Sequence, residues 1–257
     1  MTQHQNGQDA LDALYAGNDG GSDNSFTTFK SGSTFKVRAL GIRDLVPYYN
    51  YSIYKVVNSF VADKPSGLNK AGFPETNLTL WDKATEHYQK LANAEKDPTK
   101  KEALKKQASL YRGSTKFIMG FIDLDTGLPI VIDVTKPQGQ AIHKVLMKAN
   151  DQGKLDKKAF EIEKSGASTN TVCSASVLDL DDLNDKQRAN YDKWDGKEFD
   201  KKLFDGLNFV ADEAKQIEFL TKAGFDLTLI GIDATSTQDV PPSGTSSEDE
   251  SEEQFDF

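Results

Sequence analysis

Apolar and polar residues alternate over residues 34–43, with lysine and arginine between the apolar positions. This period of two predicts a half-buried strand with one basic face. Residues 48–60 are rich in tyrosine and β-branched residues, and this composition predicts a long second strand. Pro47 is predicted to interrupt the chain between the two strands, because proline cannot donate a ladder hydrogen bond.

The clearest hairpin signal lies between residues 115 and 134. Two apolar runs flank Asp125-Thr-Gly127, and Gly127 supplies the positive φ that such a turn needs. Residues 160–164 and 171–178 are predicted to form two further strands.

Helical patterns occupy the spaces between these strands. Residues 78–95 and 99–111 are predicted helices, and Pro98 suits the first position of the second one. An apolar stripe predicts another helix over residues 138–151. Shorter helices are expected over residues 182–191 and 211–223.

The two ends of the chain lack such patterns. Residues 1–33 are rich in Gly, Asn, Asp and Ser and are expected to be flexible, and residues 235–257 are expected to form a disordered acidic tail. One domain over residues 34–234 remains, with a helical insertion at about 75–112. Five or six strands with helical insertions predict a mainly β fold, an OB-like barrel. An α+β sandwich is the alternative.

Charge is distributed very unevenly around the net value of −9. Residues 30–158 hold 22 basic and 13 acidic residues, a net charge of +9, whereas residues 223–257 hold nine acids and no base. A basic body beside an acidic end indicates a polyanionic partner. A solvated lysine-rich helix is the other explanation, because residues 96–106 alone contain five lysines.

Several classes of protein are disfavoured. Cys173 is the only cysteine, so no intramolecular disulfide can form, and with His4, His87 and His143 it offers no zinc-ligand spacing. No phosphate-binding loop motif, apolar membrane span or signal-peptide pattern occurs. We therefore expect a cytoplasmic protein that is not an enzyme and needs no cofactor or metal.

The tyrosine run is the most informative candidate site, because four of the seven residues from Tyr48 to Tyr54 are tyrosine. Single-stranded nucleic acid binds to surfaces where bases stack on aromatic rings and cations contact phosphates. Ordinary tyrosines at the edge of a core are the alternative. The candidate DNA-binding residues are Lys36, Arg38, Arg43, Tyr48, Tyr49, Tyr51, Tyr54, Lys55, Arg112, Lys116, Phe117 and Phe121, although core packing is favoured for the last two.

Asp123 and Asp125 are two carboxylates at a spacing that places both on one side of a strand end. Such a pair can hold Mg²⁺ in a nuclease, but the same residues make a good turn sequence, and the turn is the preferred interpretation.

The last ten residues, Glu248–Phe257, contain six acids, no base and two phenylalanines. An apolar ring beside a terminal carboxylate makes a small docking motif for a basic-rimmed apolar pocket. The predicted partner-binding residues are Glu252, Glu253, Phe255, Asp256 and Phe257.

The acidic end resembles the tails of single-stranded DNA-binding, or helix-destabilising, proteins of tailed phages. The body is similar to that group at Phe35–Leu40, at Phe117–Val134 and at Ala159–Thr171. The resemblance implies an OB-fold and binding of single strands without sequence preference in replication, recombination and repair. It also implies tail contacts with replication proteins such as polymerase, helicase or primase. Some relatives hold a structural zinc, which a lone Cys173 does not support.

From the charge pattern we expect the acidic tail to shield the DNA-binding groove in the free protein. Two alternatives stay open. One is a replication or recombination accessory protein that acts through protein contacts, and the other is a metal-dependent nuclease using Asp123 and Asp125.

Overall fold

The structure is a computed structural model that describes residues 26–167 and 170–232. The predicted tail over residues 235–257, with its five partner-binding residues, lies outside the described residues. The same holds for residues 1–25 of the predicted N-terminal segment.

Ten strands and five α-helices make up this described part of the chain. The strands are β1 (Ser33–Arg38), β2 (Leu45–Ile53), β3 (Val57–Ala62), β4 (Gly67–Leu68), β5 (Pro74–Thr76), β6 (Ser114–Asp123), β7 (Pro129–Thr135), β8 (Ala159–Ser165), β9 (Val172–Leu178) and β10 (Val210–Ala211). The helices are α1 (Leu80–Ala94), α2 (Pro98–Tyr111), α3 (Lys136–Asp151), α4 (Asp185–Asp192) and α5 (Glu213–Lys222).

Eight strands form one sheet in the order β10-β3-β2-β6-β1-β8-β9, and β7 pairs with β6 outside this path. Strands β4 and β5 form a separate hairpin. Only β10 with β3 is a parallel pair in this sheet. The prediction of a mainly β fold with helical insertions is confirmed. Strands β9 and β10 end the path without pairing to each other among the described residues, so the structure does not show a closed barrel.

The long strand predicted over residues 48–60 is wrong in one respect: it is two strands. A tight turn at Tyr54-Lys55-Val56 separates β2 from β3, with Lys55 at φ 62°. The interruption predicted at Pro47 is also wrong, since Pro47 lies inside β2. Residues 45–50 of β2 pair with β6, and β3 pairs only further along β2. Pro47 therefore has one free side, where its missing N–H leaves no ladder bond unmade.

Local sequence signals were accurate for the hairpin and for the helical insertion. Strands β6 and β7 flank the predicted turn, and Gly127 has φ 73°. Helix α1 begins after Thr79, whose side chain accepts a hydrogen bond from the Asp82 N–H. Helix α2 begins after Asp97, whose carboxylate accepts the Thr99 and Lys100 N–H groups. Both helices could be predicted from the sequence because their capping residues lie next to them in the chain.

Strand β6 is covered on both faces, which explains its almost unbroken apolar run. On one face Phe117, Met119 and Phe121 pack beneath α3. On the other face Ile118 and Ile122 pack against a segment that contains Phe199 and Phe204. A separate cluster joins β2 and β3 to α1 and α5 around the buried residues Tyr51, Phe60, Trp81, Tyr111, Leu220 and Phe225.

The described part of the predicted flexible segment already contacts the sheet. Phe29 is buried, and the Thr27 N–H donates to the Val131 carbonyl over 2.8 Å. Phe26 packs against the cluster around Phe199. Packed structure therefore begins at least eight residues before the predicted boundary at residue 34. None of the helices in the described ranges combines the length and the apolar composition needed to cross a bilayer.

Candidate nucleic-acid interface

Three neighbouring strands place Tyr48, Lys116 and Asp133 in one polar cluster. Tyr48 lies opposite Lys116 in the β2–β6 register. The Tyr48 hydroxyl donates to Asp133 Oδ1 over 2.6 Å, and Lys116 Nζ donates to Oδ2 over 3.0 Å. Burial and the Asp133 carboxylate raise the pKa of Tyr48 well above its usual value. The phenol therefore stays neutral, and Asp133 balances the charge that Lys116 would bring to a phosphate.

Alternation separates the next two tyrosines from Tyr48. Tyr51 is buried, and its hydroxyl donates to Asp82 Oδ2 over 2.6 Å. Its ring stacks on Phe60 with centroids 5.3 Å apart. The prediction that Tyr51 contacts DNA is therefore corrected, because the helical insertion covers this face of β2 at Tyr51. Tyr49 packs edge-on against Tyr51 and is only half-buried.

Glycine allows the Tyr49 ring to lie flat against the start of β6. A Cβ placed on Gly113 would lie 2.2 Å from Tyr49 Cε1, so no larger residue fits there without displacing the ring. Arg112, which precedes Gly113, is exposed. Burial and, to a smaller extent, the Asp82 carboxylate raise the pKa of Tyr49, and the Arg112 charge opposes that rise.

The β2–β3 turn carries the most exposed aromatic side chain among the described residues. Tyr54 is 87% exposed. Lys55 Nζ lies 5.4 Å from the centroid of that ring, within the range of a cation–π interaction. A large ring exposed to water on a tight turn, with a cation beside it, is suited to stacking on an unpaired base.

The β4–β5 hairpin brings a second exposed ring to the same end of the β2–β6 pair. Phe73 is 54% exposed, and Lys70 is exposed in the same loop. The Asn69 side chain accepts the Phe73 N–H over 3.1 Å and so holds the loop closed. A Cβ at Gly72 would lie 4.0 Å from Thr115 Oγ1, and Thr115 pairs with Tyr49.

The sequence analysis did not predict this hairpin. The signal was present in the spacing of Gly67, Gly72 and Pro74 around an Asn-Lys turn. Strands of two and three residues are too short to show alternation. We call the set Tyr49, Tyr54, Lys55, Lys70, Phe73 and Arg112 the aromatic end.

The three cations of the aromatic end, Lys55, Lys70 and Arg112, form no ion pair within the described ranges of the chain. Their charges are therefore not neutralised by neighbouring carboxylates and are available to an external anion. Tyr49 and Tyr54 lie five residues apart, about 17 Å along a strand. A single strand of several nucleotides is needed to contact both.

The remaining predicted residues lie elsewhere. Val37 of β1 pairs with Asp123 at the opposite end of β6 from Thr115, about 26 Å away along the strand. Lys36 is beside Val37 at that end, and Arg43 is exposed in the loop that follows β1. The prediction of one groove that unites these cations with the tyrosines is corrected, since β1 joins only the far end of β6.

The Arg38 side chain is buried, so the prediction that it contacts DNA is corrected. Its Cζ lies 4.1 Å from the centroid of the Tyr191 ring, and its Nη2 pairs with Asp195 over 3.0 Å. These partners follow Arg38 by more than 150 residues, so no local pattern reveals them. Phe121 is likewise buried, and the half-buried Phe117 packs beneath α3.

Asp123 and Asp125 form the predicted turn. Asp123 accepts the Asp125 N–H and the Thr126 hydroxyl, over 3.1 and 2.7 Å. Asp125 accepts the Gln187 side-chain amide over 2.7 Å. Among the residues that the structure describes, no group of three or more His, Cys, Asp or Glu side chains is arranged to hold a metal ion.

Comparisons with known proteins do not extend these observations. No protein-family model, no curated protein and no solved structure matches this chain significantly. The functional argument therefore depends on the residues themselves.

Proposed function

We propose that this protein binds single-stranded nucleic acid, with single-stranded DNA as its physiological ligand, through the aromatic end. One observation carries the proposal. The two most exposed aromatic side chains among the described residues, Tyr54 and Phe73, lie on hairpin turns at one end of the β2–β6 pair, beside three unpaired cations.

The chemistry of the aromatic end fits an unpaired strand better than a duplex. Stacking requires an exposed base face, which a duplex hides within its own stack. Every base has such a face, so the contact carries little sequence preference. Lys55, Lys70 and Arg112 supply phosphate contacts, which make binding strongly dependent on salt. The resemblance to phage helix-destabilising proteins points to the same ligand and to a role in replication, recombination and repair.

The test replaces each exposed ring by leucine, which is apolar and bulky but cannot stack on a base. Tyr54→Leu and Phe73→Leu are each expected to weaken binding of a fluorescent oligo(dT) roughly 5- to 150-fold, the equivalent of about 1–3 kcal/mol per stacked base. Tyr54→Phe retains the ring and is expected to bind almost as the unmodified protein does. Fluorescence anisotropy measures each affinity at fixed salt.

Phe209→Leu is the matched control, because Phe209 is also partly exposed but precedes β10, which joins the sheet beyond β3. Its affinity should be unchanged. Equal losses in all three leucine variants would show a general effect on the fold. If the unmodified protein binds neither single-stranded nor double-stranded oligonucleotides, the proposal fails and the accessory role through protein contacts takes its place.

A further inference from the structure

A second surface, far from the aromatic end, combines lysines with an open apolar floor. It is a groove of about 580 Å³ between helix α3 and strand β9, here called the α3–β9 groove. Its lining residues are Lys144, Val145, Lys148, Ala149, Gln152, Lys154, Lys158, Ala175, Ser176 and Val177. The volume lies within the range of grooves that hold small ligands or peptide side chains.

The rim of the groove is positively charged. Lys144, Lys148 and Lys154 form no ion pair among the described residues, whereas Lys158 pairs with Asp179. No acidic side chain of the described chain lines the groove. Three unpaired lysines that line one cavity repel each other, so an anion bound among them relieves this repulsion as well as adding its own attraction.

The floor of the groove is apolar and partly open to water. Val145 and Ala175 pack against the core beneath α3, and Val177 is 47% exposed. Charged residues on an edge strand commonly prevent edge-to-edge pairing. The lysines here belong to α3 and to residues 154–158, not to β9, so protection of the edge does not account for their arrangement.

The same chain contains a segment with the complementary chemistry. Residues 248–257 hold six acids, no base, and the two phenylalanines Phe255 and Phe257. A phenylalanine ring beside carboxylates matches an apolar floor rimmed by lysines, because the ring is removed from water while the charges remain paired.

The chain is long enough for this segment to reach the groove of its own molecule. The last described residue, Ile232, packs against the cluster that includes β3, and five strand spacings of about 4.8 Å separate β3 from β9, about 24 Å. Fifteen residues separate Ile232 from Glu248 and span up to about 50 Å when extended.

We propose that the α3–β9 groove binds residues 248–257 of the same chain, with a terminal phenylalanine on the floor and the carboxylates on the lysines. The sequence alone predicted that the tail covers the DNA-binding surface. Docking in this groove instead leaves the aromatic end uncovered, since β9 lies four strand positions from β2. The inference does not depend on whether the protein binds DNA.

A zero-length carbodiimide cross-linker tests the proposal on the full chain, because it joins only carboxylates and lysines already in contact. Mass spectrometry should find residues 248–257 joined mainly to Lys144, Lys148 and Lys154. The exposed lysines Lys96, Lys100 and Lys106, near and within α2, are the internal control and should give few products. Raising the salt to about 1 M, where the Debye length is about 3 Å, should remove the groove products.

Two further measurements make the proposal refutable. Mixing isotopically heavy and light chains should give no mixed products, and mixed products would overturn docking within one chain. The double variant Phe255→Ala/Phe257→Ala keeps all six acids and should reduce groove products about tenfold or more. Unchanged yields in this variant, equal labelling of the α2 lysines, or products at Lys55 and Lys70 instead would each overturn the proposal.

Discussion

Two β-hairpin turns of this protein differ in how far the rest of the chain contacts them. The β6–β7 turn is tied to α4 and to the segment that follows it: Asn190 donates to the Leu124 carbonyl over 2.8 Å, and Trp194 Nε1 donates to the Gly127 carbonyl over 3.0 Å. At the β2–β3 turn, the Tyr54 and Lys55 side chains form no hydrogen bond in the described part of the structure, and they contact each other.

The difference shows which turn is available to a ligand. Hydrogen-bonding groups that are already paired with protein gain little from an external partner. An exposed ring and a cation without an ion pair have no hydrogen bond or ion pair to give up when they bind a ligand. Stacking on a base and contact with a phosphate therefore add to the binding free energy. Hydrogen bonds from distant parts of the chain therefore hold the β6–β7 turn in place, whereas the β2–β3 turn has no such bonds to its Tyr54 and Lys55 side chains and is open to the ligand that we propose.

The largest expected effect is a loss of stability on breaking the β6–β7 turn. Asp123→Ala removes the buried carboxylate that accepts the Asp125 N–H and the Thr126 hydroxyl, and we expect the free energy of unfolding to fall by about 2–4 kcal/mol. Urea denaturation followed by tryptophan fluorescence measures it. Asp123→Asn keeps one acceptor and should lose less than half as much. A loss below about 1 kcal/mol in Asp123→Ala would show that this turn is not held by its hydrogen bonds.

The next prediction compares a cation at each end of β6. Arg112→Ala should reduce the slope of log K against log salt by about 0.7, the amount lost with one single-strand phosphate contact. Lys36→Ala, near the Asp123 end, should leave the slope unchanged. Titrations of oligo(dT) at several salt concentrations measure both. Equal changes of the slope in the two variants would support the continuous groove that the sequence predicted. An unchanged slope in Arg112→Ala would show that Arg112 does not contact the nucleic acid.

The same comparison shows what the sequence could reveal. The β6–β7 hairpin and helices α1 and α2 were predictable because their signals are local: a glycine at positive φ, and the capping residues Thr79 and Asp97. Alternation along β2 also places Tyr48 in a different cluster from Tyr49 and Tyr51.

Which face of a strand is covered could not be predicted, because the covering residues come from distant parts of the chain. Asp82 in the helical insertion turns Tyr51 into a core residue, and Tyr191 and Asp195 do the same for Arg38. Alternation defines two faces but does not say which one meets solvent. Tyr51 and Arg38 were therefore predicted to contact DNA although both are buried.

The smallest expected effect is at the β2–β3 turn. There, one substitution should raise the stability of the protein and weaken its binding of DNA. Lys55 adopts φ 62°, a left-handed conformation that costs a residue with a Cβ about 1–2 kcal/mol. Lys55→Gly removes this cost but adds about 0.5–1 kcal/mol of unfolded-chain entropy, so we expect a net stabilisation of about 0.5 kcal/mol. The same change removes a cation from the aromatic end and should weaken oligo(dT) binding.

Lys55→Asn separates the two contributions, because asparagine tolerates the left-handed conformation without carrying a charge. It should match the weaker binding of Lys55→Gly while leaving the free energy of unfolding close to that of the unmodified protein. Denaturation and anisotropy on the three proteins test this directly. If Lys55→Gly both lowers stability and leaves affinity unchanged, Lys55 supports the turn and does not contact the ligand, and the two turns would then serve the same structural purpose.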